Sequence, residues 1–175
     1  MKVYLETTFV SWLTAKPSTM PENAVRQAYT HKWWEERAGK CELFVSGFVV
    51  QEAQAGDAER AQARLAVIGN LNLLDGDIEE VKQLAQALLD EHAVPATETT
   101  DAYHIATAAV YGMDMLLTWN CKHMANLVTL PKTAGVIARF GYQCPMILTP
   151  DNALEPSWSI SATCAPSHRP LARTS

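Results

Sequence analysis

The sequence predicts an α/β layer fold with a mostly parallel sheet. Five short β-prone runs recur, at residues 3–5, 43–46, 71–74, 115–118 and 146–148. Segments with helical punctuation or periodicity separate each run from the next. The fourth run is apolar from Met115 to Leu117, as a strand covered on both faces should be. The 175-residue chain is 48% hydrophobic and 19% charged, enough apolar material for one core and too much for wholesale disorder. Its net charge of -5 argues against a protein that wraps duplex DNA by charge alone.

Each element has a local reason. Residues 3–5 form a strand, and residues 7–13 read as a short helix. Pro17 and Pro21 make the next stretch a loop. Val25, Ala28, Tyr29 and Trp33 recur at helical spacing within residues 22–38, and Gly39 is the stop. After the second strand, residues 47–55 read as a short helix. Asp57 then caps a helix running to Ile68. The third strand ends in the Asp75-Gly76-Asp77 turn, with Asp77 as N-cap of the next helix. Ile78, Val81, Leu84, Ala85 and Leu88 form that helix's apolar stripe. Another helix spans residues 99–111, its stripe made by Ala102, Ile105, Ala106, Ala109 and Val110, with Gly112 as its end. Residues 122–127 and 131–140 are read as helical before the last strand.

From residue 155 the composition shifts to Pro156, Pro166, Pro170 and several Ser/Thr. This divides the chain into a domain at 1–154 and a poorly ordered tail at 155–175. Glu6 sits where a signal peptide needs an apolar run, and no apolar stretch approaches the roughly 18 residues of a membrane span. Cys41, Cys121, Cys144 and Cys164 form no CxxC motif. A reducing cytosol, and so a cytoplasmic protein, is the expectation.

In a parallel α/β sheet, ligands bind beyond the carboxyl ends of the strands at a topological switch point. Glu6 follows strand one and Asn120 follows strand four. Glu52 lies about a turn into the helix leaving strand two, and Asp101 opens the helix that precedes strand four. All four residues can reach one sheet edge. Crowded carboxylates repel by several kcal/mol at a surface-like dielectric, at about 4 kcal/mol per pair in close contact. Such a cluster calls for protonation or a cation, and oxygen ligands suit Mg2+ or Mn2+.

The same residues carry a resemblance. Val3-Tyr4-Leu5-Glu6-Thr7-Thr8-Phe9-Val10 resembles the "LDTS(V)" opening of PIN-domain nucleases, and Val49-Val50-Gln51-Glu52 resembles their helical glutamate. Asp101-Ala102-Tyr103-His104-Ile105-Ala106-Thr107-Ala108 resembles "DAxHIAxA", and residues 116–123 resemble "LLTWNxxH". Ile147-Leu148-Thr149-Pro150 resembles the closing "ITP". The match covers about residues 2 to 154. It implies a three-layer α/β/α sandwich with about five parallel strands. It implies Mg2+- or Mn2+-dependent cleavage of RNA, often as the toxin of a VapC-like toxin–antitoxin pair, and with that a cognate antitoxin and a homodimer. Glu6, Glu52 and Asp101 would be the catalytic and metal-binding acids, with Asn120 in the fourth position. The family usually has Asp at the first and fourth places. Glu6 carries the carboxylate about 1.5 Å further. Asn120 offers only a neutral carbonyl, which leaves three anionic ligands and weaker metal affinity.

Ordinary structural roles compete at each position. Glu6 can cap a helix, Glu52 can be a solvated helix acid, and Asp101 suits a helix N-terminus whatever its function. Asn120 is a normal turn residue. His104 shares the Asp101 face and reads as a partly buried packing histidine. His123 reads equally as a cap or a nucleic-acid contact, and Thr7 and Thr118 as caps or orienting hydroxyls. Trp33 and Trp34, with Trp12, read as core or dimer surface. Lys122, Lys132 and Arg139 are the candidate phosphate contacts. Besides the endoribonuclease, two functions fit: a PIN-like module that binds RNA or protein without cleaving, and a metal-dependent phosphatase. The last lacks a nucleophilic aspartate after strand one.

Overall fold

The computed structural model describes residues 1–154; the proposed tail at 155–175 and Cys164 lie outside the described residues. Five strands form one sheet: β1 (Lys2–Leu5), β2 (Glu42–Ser46), β3 (Asn72–Leu74), β4 (Met115–Leu117) and β5 (Met146–Leu148). Their order is β3-β2-β1-β4-β5, and every neighbouring pair is parallel. The chain builds outward from β1 through β2 to β3, then returns to place β4 on the other side of β1. The β1/β4 junction is therefore the switch point, where the loops leaving the two strands diverge and open a crevice. Tyr4 is level with Leu116 and Leu5 with Leu117, which brings Glu6 and Thr118 to the same height.

The helices are α1 (Thr7–Thr14), α2 (Pro21–Arg37), α3 (Gly47–Ala53), α4 (Ala58–Ile68), α5 (Glu79–Asp90), α6 (Thr99–Val110) and α7 (Leu130–Arg139). Helix α1 packs on α2, α3 and α4, while α5 packs on α6 and α7. With the sheet between, these make the α/β/α sandwich expected from the motifs. All of β4 is buried, as its unbroken apolar run requires. At the sheet's end, Leu73 of β3 remains 65% exposed. Asp57 caps α4 as expected, its Oδ1 accepting the Arg60 N–H at 3.0 Å. Gly112 stops α6 with φ at 62°, the left-handed conformation glycine adopts without a Cβ penalty.

Three expectations are corrected. Helix α2 turns Gln27, Thr30 and Trp33 inward, leaving Val25 at 53% and Tyr29 at 40% exposure. Gln27 is drawn in because its amide donates to the carbonyls of Ala15 and Lys16 and its Oε1 accepts the Ser18 N–H, closing the α1–α2 loop. Trp33 is fully buried, edge-on to Phe9 at 5.4 Å between ring centroids, the core role of the two expected, and Trp34 is half-buried against the same core. Ile78, not Asp77, is the N-cap of α5; the Asp77 carboxylate pairs with Lys82 at 2.9 Å instead. Residues 122–127 form turns, not a helix. There the side chains of Asn120 and Asn126 accept the N–H groups of His123 and Val128, offering the backbone a local alternative to helix.

Candidate active site

Residues on four elements meet in the β1/β4 crevice. The chain stays extended through Glu6, with φ -79° and ψ 160°, so strand alternation puts its side chain on the face of Tyr4. Only 4% of Glu6 is exposed. Its Oε2 accepts from the hydroxyls of Thr8 and of Thr118, the latter at 2.8 Å. Thr8 in turn accepts the Trp119 N–H at 2.8 Å, tying the start of α1 to the loop after β4.

Glu52 comes in from α3. Its Oε2 accepts from the Thr7 hydroxyl and meets His104 Nε2 at 3.0 Å. Burial alone would raise the Glu52 carboxyl. The hydrogen bond and charge of His104, with help from Thr7, outweigh it and hold the group below its usual range. Burial by itself would likewise lower His104, but the Glu52 hydrogen bond and the charges of Glu6, Glu52 and Asp101 raise it. The two directions agree: each partner favours the charged form of the other, with His104 buried and Glu52 part-exposed.

Asp101 lies in the first turn of α6. Its Oδ2 accepts the Asn120 Nδ2 amide at 2.8 Å, while the Asn120 N–H donates to Thr118 Oγ1 at 2.8 Å. Thr118 thus links Asn120 to Glu6. Burial and then the Glu6 charge push the Asp101 carboxyl up to about 6, against the opposing pull of His104 and His123. Asp101 and Glu6 are therefore close enough to repel. Among the described residues His123 Nδ1 is buried without a hydrogen-bond partner, 3.7 Å from Glu98 and 3.9 Å from Asp101.

The crevice so assembles Glu6, Glu52, Asp101 and Asn120, the four residues placed there from the sequence. Asn120 uses its amide on Asp101, and its carbonyl oxygen already accepts the His123 N–H at 3.1 Å. Its geometry is that of a residue orienting Asp101. Arg139 is elsewhere, at the end of α7 and paired with Glu91. That helix runs away from the carboxyl edge, so Arg139 makes no contact with the crevice. Sequence reasoning passed over Thr8, Glu98, Tyr4 and Ser46. Thr8 was legible as the second hydroxyl after Glu6, and Tyr4 as its neighbour two residues back on the same strand face. No local signal singles out Ser46.

The donor set fits a hard divalent cation. Each of the acids has one oxygen taken by protein donors, and among the described residues no donor reaches Glu6 Oε1, Glu52 Oε1 or Asp101 Oδ1. Ligand atoms of Glu6, Glu52 and His104 lie within 4.8 Å of one another, as do those of Glu98, Asp101 and His123. Carboxylate oxygens left free in this way suit Mg2+ or Mn2+.

Solved structures share this architecture. VapBC2 from Rickettsia felis, solved bound to a DNA fragment from its promoter, matches 85% of this chain and 98% of that chain, with a TM-score of 0.56 and 14% identity. VapC20 of Mycobacterium tuberculosis, a toxin that cleaves the sarcin-ricin loop, matches 65% of this chain and 86% of that chain, with a TM-score of 0.50 and 17% identity. The chain has the VapC fold. At these identities the likeness is one of backbone architecture, the PIN-like sandwich that the motifs imply. No family model and no curated protein matches the sequence. Among the described residues, no helix is long and apolar enough to cross a membrane.

Proposed function

We propose that the chain is a metal-dependent endoribonuclease of PIN type, acting in the cytoplasm as the toxin of a VapC-like pair with a cognate antitoxin. The observation that carries this reading is the meeting of Glu6, Glu52 and Asp101 at the switch point of a VapC-fold sheet, each held by one oxygen. These acids would hold Mg2+ or Mn2+, which supplies a bound water of lowered pKa and a positive charge for the scissile phosphodiester. The protein's own part is positional. Thr8 and Thr118 hold Glu6, Thr7 and His104 hold Glu52, and Asn120 holds Asp101. Asn120 is thus assigned an orienting role in place of direct ligation. Lys122, exposed in the loop after β4, remains a candidate phosphate contact. A homodimer belongs to this reading too, and the exposed Val25 and Tyr29 of α2 offer apolar surface for it.

One observation favours a second reading. The Asn120 amide supplies a neutral donor to Asp101 where a fourth carboxylate would strengthen the ion, as a module that binds RNA without cleaving it could tolerate. Incubating the protein with a mixed RNA pool, with Mn2+ and with chelator, separates the two. Cleavage only with Mn2+ supports the nuclease. Binding without cleavage under both conditions selects the module.

A further inference from the structure

Behind Glu52 runs a line of polar side chains that the proposed chemistry leaves unused. Ser46 Oγ lies 2.6 Å from the Tyr4 hydroxyl, which lies 2.7 Å from His104 Nδ1. The other ring nitrogen, Nε2, meets Glu52 Oε2 at 3.0 Å. Ser46, Tyr4 and His104 are each 0% exposed. They come from β2, β1 and α6 and converge on a glutamate of α3, so four elements share one chain of hydrogen bonds. A packing histidine needs none of this. Apolar residues would fill the same space without the cost of burying a phenol, a hydroxyl and an imidazole, a cost offset only when all partners are present.

The geometry explains what the chain achieves. Glu52 stands on a seven-residue helix, and its own side chain is 38% exposed. Left to itself such a side chain samples several rotamers. The His104 ring cannot swing freely, because Tyr4 holds its far nitrogen and Phe48 lies edge-on to it at 6.4 Å between centroids. Tyr4 is held in turn by Ser46. The line ends on Oε2 alone, so it restricts the carboxylate and leaves Oε1 without a donor among the described residues.

We infer that Ser46, Tyr4 and His104 form a relay of positioning residues that fixes Glu52 for the divalent cation, with His104 as the member in contact. The inference rests on the metal-site reading above. It gives His104 a function in ion binding without making it a ligand, since its nitrogens are committed to Tyr4 and Glu52. Partners of this kind behind a metal ligand typically contribute about 10- to 100-fold in affinity.

The test is Mn2+ binding by calorimetry, beside thermal melting, on wild type, Tyr4→Phe, His104→Gln and His104→Leu. Tyr4→Phe keeps the ring and removes only the hydroxyl that holds His104. It should weaken Mn2+ binding several-fold, and His104→Leu by about 10-fold or more. His104→Gln retains an amide donor for Glu52 and should recover part of that loss. RNA cleavage should lose kcat while KM for RNA stays near wild type, because no member of the relay faces the substrate. Wild-type Mn2+ affinity in a folded Tyr4→Phe protein, with only its melting temperature lowered, would overturn the inference and leave the nuclease reading intact. Should His104→Leu fail to fold, Tyr4→Phe and His104→Gln still decide it. Absence of Mn2+ binding in wild type itself would remove the metal-site reading, and the relay's purpose with it.

Discussion

Replacing Asn120 by aspartate tests the link between the fourth motif position and Asp101. The Asn120 amide nitrogen lies 2.8 Å from Asp101 Oδ2, and Asn120→Asp puts a second carboxylate oxygen in its place. With both groups ionised at that separation, repulsion is about 6 kcal/mol at an effective dielectric of 20. Taking up a proton costs less. The Asp101 carboxyl is already pushed up to about 6, so protonating it at pH 7 costs about 1.4 kcal/mol. The pair will therefore share a proton, and solvent in the crevice screens what repulsion remains. The variant should lose about 1–2 kcal/mol at pH 7, about 3–6 °C in melting temperature for a domain of this size. The sign follows from linkage: the folded variant needs a proton that its unfolded chain lacks above about pH 4, so stability rises as pH falls and the gap closes by pH 5. Mn2+ should bind the added charge more tightly and recover the loss at pH 7. Thermal melting at both pH values, with and without Mn2+, reads all of this. An equal deficit at pH 5 and pH 7, indifferent to Mn2+, would mean that position 120 does not face the Asp101 carboxylate.

Asp101→Asn should act in the opposite sense. In wild type the raised Asp101 carboxyl contributes stability that is full below about pH 4 and lost as pH rises through about 6, so a permanently neutral side chain should melt no lower, and slightly higher, at pH 7. RNA cleavage should fall by orders of magnitude in the same variant, and equal cleavage by both proteins would indicate another site. Glu6→Asp supplies the aspartate of the motif that the opening resembles yet should harm this protein: a shift of about 1.5 Å withdraws the carboxylate from the Thr118 hydroxyl, now at 2.8 Å, at a cost of about 1–3 kcal/mol in denaturant unfolding. Unchanged stability would show that the Thr118 contact contributes nothing. Light scattering at micromolar concentration should give a dimer, and a strict monomer near 19.3 kDa would refute the assembly.

Where one residue class decided local structure, the sequence could be read directly. The apolar runs became the strands, Asp57 became a cap, and the order of the polar residues along the chain placed the three acids Glu6, Glu52 and Asp101 with Asn120 in one crevice, because parallel topology alone sends them to one edge. Long-range polar contacts were illegible. In α2, helical spacing of Val25, Ala28, Tyr29 and Trp33 pointed to an apolar face, but Gln27 is held by loop carbonyls that no periodicity encodes. At residues 122–127, helix-compatible composition lost to asparagine side chains that bond nearby backbone. The sequence shows the spacing of His104 to Asp101, which reads as packing, whereas Tyr4, 100 positions away by residue number, and Ser46 behind Tyr4 join it only through the fold.

The hydroxyls explain how a site with unusual acids can still be ordered. Glu6 is longer than the aspartate expected there, and a longer side chain has more rotamers to restrict. Thr8 and Thr118 meet the same oxygen, Oε2, from two sides of the crevice, so the added methylene is taken up in reaching them. Thr7, the other hydroxyl of the pair after β1, reaches across to Glu52. Two adjacent threonines thus serve two different acids, because the turn from strand into α1 sends successive side chains in different directions. Thr118 carries the coupling further: it donates to Glu6 and accepts from the Asn120 backbone, whose side chain donates to Asp101. A change at Glu6 should consequently be felt at Asp101 through Thr118 and Asn120 as well as through charge, so double mutants of Glu6 and Asp101 should depart from additivity while Glu6 paired with an α7 surface residue such as Lys132 should not.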